Sequence, residues 1–118
     1  MGLPALDPIQ LDEFASTVLD GSGNGSVRIG PRNSRQRWDV TNIAVMSSST
    51  NAIPTATAYL GAPVAGSSLG GTYDGSNDSA AVSVSLHPGQ FISVAWTGGD
   101  PGASATVSLY GTLSIWGR

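Results

Sequence analysis

Val82-Ser83-Val84-Ser85-Leu86 is followed by His87-Pro88-Gly89-Gln90 and then by Phe91-Ile92-Ser93-Val94-Ala95-Trp96. In the first run apolar residues occupy every second position with serine between them, the period of a strand buried on one face. Pro-Gly at the centre of the tetrapeptide fits a type II turn. Ile92, Val94 and Trp96 then resume the alternation. Strand, tight turn, strand is the unit that repeats along this chain.

Downstream, Gly98-Gly99-Asp100-Pro101-Gly102 makes another turn. A long run follows, with Ala105, Val107, Leu109, Leu113 and Ile115 on one face. Thr106, Ser108, Tyr110, Thr112, Ser114 and Trp116 take the other, and Gly111 marks a bend. Upstream, Pro54 opens Thr55–Leu60 and Gly61 closes it. The Gly/Ser/Asp-rich stretch 61–79 holds a short strand around Leu69–Tyr73. Gln36–Ser47 carries Trp38 and Val40 in one phase and Ile43 and Val45 in the other, which predicts a bulge near Thr41-Asn42. Phe14–Leu19 and Ser26–Ile29 flank Asp20-Gly21-Ser22-Gly23-Asn24-Gly25, whose Asn-Gly pair reads as a hairpin turn. Arg28, alternating with Val27 and Ile29, points away from the core.

Residues 1–12 are different. Pro4, Pro8 and the scattered Leu3, Leu6, Ile9 and Leu11 read as an extended arm that buries its apolar groups on its own domain or on a neighbour. The expected fold is all-β: a single antiparallel β-sandwich of about eight strands at 13–118, jelly-roll or immunoglobulin-like, with an N-terminal arm at 1–12.

Composition narrows function mainly by exclusion. A chain of 118 residues builds one core. Charged residues are only 11%, so Ser, Thr, Asn, Gly and Ala must cover the surface. Without cysteine there is no disulfide framework, thiol nucleophile or zinc ribbon. Arg28, Arg32, Arg35 and Arg37 fall close together; eight acidic residues against Arg118 leave the rest of the chain at −7. An acidic body with one arginine-rich segment is not a general nucleic-acid binder, but it suits an acidic docking partner. No run approaches the roughly 18 apolar residues of a membrane helix, and residues 1–8 lack the basic and apolar regions of a signal peptide.

Each candidate site has a plainer role. His87 sits before a Pro-Gly turn, with no Gly-x-Ser-x-Gly elbow to complete a hydrolase triad, so it reads as a turn residue. Asp74-Gly75-Ser76-Asn77-Asp78 has oxygen ligands but lacks the calcium-loop order and its distal glutamate. A glycosidase pair would need an apolar cleft around one carboxyl, and this loop is Gly/Ser-rich. The expectation is therefore a non-enzyme without metal or cofactor. Tyr59, Tyr110 and Trp116 fall on polar strand faces, where aromatics meet a partner subunit or stack on a sugar. Trp38 and Trp96 are in phase with the core.

Several motifs occur in a familiar order: Gly21-Ser22-Gly23-Asn24-Gly25, Val27-Arg28-Ile29-Gly30-Pro31 and Trp38-Asp39-Val40 come first. Pro54–Gly61, Leu86-His87-Pro88-Gly89-Gln90 and Trp96–Ala103 follow. In this order, over about residues 14–118, the chain resembles small β-sandwich structural proteins of tailed bacteriophages, particularly those of high-GC Gram-positive hosts. The resemblance implies a capsid decoration protein, or a head-fibre or minor tail protein, found in the virion after assembly in the host cytoplasm. Its partner would be the major capsid protein or another virion subunit, met in multiple copies or as a homo-oligomer. Leu3, Leu6, Ile9 and Leu11 would then anchor the arm, with Arg32, Arg35 and Arg37 on acidic capsid surface. The alternative from a different class is a carbohydrate-binding module using Tyr59, Tyr110 or Trp116.

Overall fold

The computed structural model describes residues 9–31, 34–62 and 65–115. Eight strands account for most of them: β1 (Ile9–Val18), β2 (Gly25–Ile29), β3 (Gln36–Ser47), β4 (Thr55–Leu60), β5 (Ser68–Asp74), β6 (Asn77–Leu86), β7 (Ile92–Thr97) and β8 (Ser104–Ile115). One 3₁₀ turn, Ala65–Ser67, precedes β5. The strands form two four-stranded sheets, β1-β8-β3-β6 and β2-β7-β4-β5, with antiparallel pairing throughout. β1 pairs with β8, β2 with β7, β3 with β6 and β4 with β5. That is one long hairpin rolled up on itself, so of the two expected sandwiches the chain is the jelly roll.

The period-2 pattern places the core. β3 turns Trp38 and Val40 inward, then Ile43 and Val45, and its pairing with both neighbours shifts between Val40 and Asn42. The expected bulge is there, and it keeps apolar residues of opposite parity on one face. On β8, Ala105, Val107 and Leu109 are fully buried. In the other sheet Ala56, Ala58, Ile92, Val94 and Trp96 are fully buried. Trp96 lies in the row Gly25–Trp96–Ala56–Tyr73, and Gly75 leaves room for its indole, since a Cβ there would come within 2.9 Å of Trp96 Cδ1. The Trp96 indole nitrogen meets no acceptor among the described residues. Trp38, by contrast, donates to Gln36 Oε1 at 3.3 Å.

Two expectations need correction. The arm does not extend to residue 12, because Ile9–Asp12 already belong to β1 and pair with Tyr110–Leu113. Leu11 is 1% exposed and part of this domain's own core. Gln10, Asp12 and Glu13 around it hid the alternation; Glu13 shares Leu11's phase but stays exposed at the open edge of the sheet. Residues 20–25 are not a hairpin either, because β1 and β2 lie in different sheets. Their loop is a crossover held by Asp20, whose Oδ1 accepts from Ser22 N at 2.8 Å and Asn24 N at 3.1 Å. The left-handed residue is Gly23, at φ 78°, and neither Asn24 nor Gly25. Its carbonyl accepts from Gly99 N at 3.0 Å, while Asn24 Oδ1 accepts from Gly98 N at 3.1 Å. His87–Gln90 is the predicted turn, with Gln90 N donating to His87 O at 2.9 Å and Gly89 at φ 87°.

Candidate functional site

Antiparallel rolling gives the sandwich two unlike ends. At one end β1, β3, β5 and β7 begin and β2, β4, β6 and β8 finish. Arg28, Arg35, Arg37 and His87 all lie toward it. Arg37 Nη2 pairs with Asp39 Oδ2 at 3.1 Å, and the Arg28 guanidinium carbon sits 4.8 Å from the centroid of the Phe91 ring. This stacking leaves the Arg28 charge at the surface.

The opposite end holds the loops 19–24, 48–54, 75–76 and 98–103, with Asp20, Asp74, Asp78 and Asp100 and no arginine among the described residues. It is closely tied together. Leu19 N donates to Ala103 O at 2.8 Å and Gly102 N to Leu19 O at 3.0 Å. Asp100 accepts from Thr50 N at 2.8 Å, Asn51 N at 2.9 Å and Ala52 N at 2.9 Å, while its own N–H donates to Ser49 Oγ at 2.8 Å. Ser49 Oγ in turn donates to the Ala52 carbonyl.

These contacts hold three carboxyls below their ordinary value of 3.8: Asp100 mainly through the Asn51 and Thr50 amides, Asp20 through the Asn24 and Ser22 amides, and Asp74 through the Ser76 hydroxyl and amide. A carboxyl more acidic in the folded chain stabilises the fold above the unfolded pKa, and this contribution is lost as pH falls through the folded one. The urea midpoint should therefore hold steady from neutral pH down to about 5 and fall below about 4. In Asp100→Asn the midpoint at neutral pH should be lower and the fall in acid shallower. A fall in acid as steep as that of the unaltered chain would show that Asp100 does not contribute.

The predicted contact residues are scattered. Leu3, Leu6, Arg32 and Trp116 lie outside the described residues. Ile9 is half exposed at the start of β1, whereas Leu11 is buried and unavailable to a partner. Arg35 and Arg37 come together at the arginine end. Tyr59 and Tyr110 do not meet, because Tyr59 points out from the β2-β7-β4-β5 sheet and Tyr110 from the other. They cannot form one stacking platform. In its own row, Tyr59 stands across Ser93 from Arg28. Ser93 is 3% exposed and donates to the Gly61 carbonyl.

Sequence reasoning missed a set of exposed apolar side chains. Phe14 is 69% exposed, Val18 65% and Met46 55%. All three share the outward face of the first sheet with Tyr110. The signal was present in β1, where Phe14 and Val18 fall in phase with Ser16, opposite to Leu11 and Ala15.

The described residues also border a groove of about 440 Å³ between β5 and β6, lined by Leu69, Tyr73, Ala80, Val82 and Val84, with Asp78. Burial, and to a lesser extent the Asp78 charge, raises the Tyr73 phenol above its ordinary 10.0, which keeps it a hydrogen-bond donor. No three His, Cys, Asp or Glu side chains converge as a metal site among the described residues, and no helix there is long and apolar enough to cross a membrane.

No protein-family model matches the chain, and no curated protein does. Among solved structures, infectious bursal disease virus (Gx strain) aligns over 98% of this chain and 35% of its own at 13% identity, with a TM-score of 0.26. A family two carbohydrate esterase from Cellvibrio japonicus aligns over 92% of this chain and 35% of its own at 9% identity, with a TM-score of 0.24. The chain spans about a third of each, and likenesses this remote do not bear on function.

Proposed function

We propose that this chain is a non-enzymatic virion subunit of a tailed bacteriophage, a decoration protein bound to the outer face of the capsid. One observation carries the reading beyond the motif resemblance: the charge polarity of the sandwich. Arg28, Arg35 and Arg37 lie toward the end where the chain enters β1, with Arg37 paired to Asp39 and Glu13 nearby, whereas Asp20, Asp74, Asp78 and Asp100 gather at the far end, which has no arginine among the described residues. A domain charged in this way stands on an acidic surface with its arm end down and its hydrogen-bonded acidic end outward. Leu3 and Leu6 of the arm supply apolar anchorage in this reading, and many symmetric copies make a modest single contact sufficient.

The first measurement is copy number in banded particles by quantitative mass spectrometry. Hundreds of copies per particle support decoration; a handful would move the chain to the tail or a head fibre, and none would remove it from the virion. The second is binding to particles stripped of this chain. Deleting residues 2–8 should leave thermal unfolding unchanged and weaken binding at least about tenfold, or about 1.4 kcal/mol. The cut stops at 8 because Leu11 is a core residue. Arg35→Glu with Arg37→Glu should weaken binding further, and binding by the unaltered chain should decline as salt rises. If the shortened chain still saturates particles at the same concentration, the arm is not the anchor.

A further inference from the structure

The outward face of the β1-β8-β3-β6 sheet sets a few large exposed apolar and aromatic side chains among small ones and is nearly free of charge. Its rows, read from registers of adjacent strands, are Asp12–Tyr110–Asn42–Ala81, Phe14–Ser108–Ala44–Ser79 and Ser16–Thr106–Met46–Asn77, with Val18 opposite Ser104 beyond them. Phe14, Val18, Met46 and Tyr110 are its large side chains, each at least 39% exposed. The positions between them are nearly all Ser, Thr, Ala or Asn, and Ser16 Oγ and Thr106 Oγ1 lie 2.9 Å apart in a hydrogen bond within the sheet. The charges are few. Arg37 and Asp39 neutralise each other near the arginine end, and Asp12 stands on the edge strand β1.

We propose that this face packs against the same face of a second copy of the chain, sheet on sheet about a two-fold axis. Small side chains between a few large ones let two sheets approach to about 10 Å, the spacing of a sandwich core. A two-fold contact requires a self-complementary patch, and like charges meeting across the axis would prevent it. Here the centre of the patch carries no charge although the chain as a whole is at −3.

The size of the face fits a dimer as well. Four strands at about 4.8 Å by ten residues at about 3.3 Å give roughly 600 Å² per copy, or about 1,200 Å² in all, the lower limit of a specific interface. The association is therefore concentration-dependent and is strengthened wherever copies are held side by side. The proposal does not depend on what the arm binds, and its test uses the full chain alone, so its failure and that of the virion reading are separable.

Sedimentation velocity from about 10 μM to about 1 mM should show monomer passing to dimer. Phe14→Ser with Met46→Ser should weaken dimerisation at least tenfold with an unchanged circular dichroism spectrum, because both side chains point to solvent. Should that variant unfold, Met46→Glu brings like charges onto the inner strand β3 from an exposed position and should also dissociate the dimer. A chain that stays monomeric throughout would overturn the proposal and leave the face to a different partner. A dimer that survives both changes would also overturn it, by placing the contact elsewhere.

Discussion

Trp96→Ala should cost about 3–5 kcal/mol, at the upper end for a buried aromatic, and leave little of a total stability of roughly 5–15 kcal/mol. The reason lies in the neighbours. The indole is fully buried on β7 between Gly25 of β2 and Ala56 of β4, and it runs so close to Gly75 that a Cβ there would come within 2.9 Å of Trp96 Cδ1. Those positions have no side chain long enough to turn into the space, so the cavity stays open, and its cost rises with its volume. Trp96→Phe should cost less than half as much, since it keeps most of the ring volume and removes a buried N–H that has no acceptor among the described residues. Urea unfolding followed by circular dichroism measures both changes. An alanine variant within about 1 kcal/mol of the unaltered chain would mean that the loops around Gly75 and Gly99 collapse into the hole.

The environment of Trp96 also shows how far the sequence could be read. Its burial was legible from the alternation of Ile92, Val94 and Trp96, as the β3 bulge was from the phase change between Val40 and Ile43. These are local signals, written in neighbouring positions. Which strands share a sheet is not local. The residues 20–25 carry hairpin chemistry and bond among themselves through Asp20, yet Gly23 and Asn24 also accept from Gly99 and Gly98, the latter 74 positions away, and β2 lies in the other sheet. The same distinction separates the two ends of the molecule. The arginines of one end are close in sequence and were noticed as a cluster. The aspartates of the other are spread from 20 to 100 and share an end only because antiparallel pairing returns each loop to the same place. The apolar face was readable in β1 alone, but it became a patch only when β8 placed Tyr110 beside Phe14 and β3 supplied Met46.

Gly111→Ala should be as damaging as the loss of Trp96, for the opposite reason. Gly111 sits on β8 opposite Val40, in the central strand pair of the first sheet, where the β3 bulge pushes its backbone toward β8. A Cβ at 111 would overlap the carbonyl oxygen of Asp39 and lie 3.0 Å from its carbon and 3.1 Å from Thr41 N. All three atoms are backbone, so no rotamer change relieves the overlap, and β3 and β8 have to separate along the ladder that holds the sheet together. Overpacking of this kind costs about 1–3 kcal/mol where side chains can shift, and more where only backbone can. Gly21→Ala is the control: nothing lies within 4 Å of a Cβ there, and its φ is not in the left-handed range. It should be neutral or stabilise slightly through the unfolded chain. If alanine at 111 is tolerated as well as alanine at 21, β3 can straighten its bulge, and the kink is not what keeps Trp38 and Ile43 on the same face. If it is not tolerated, that shared face depends on the one position in β8 that has no side chain.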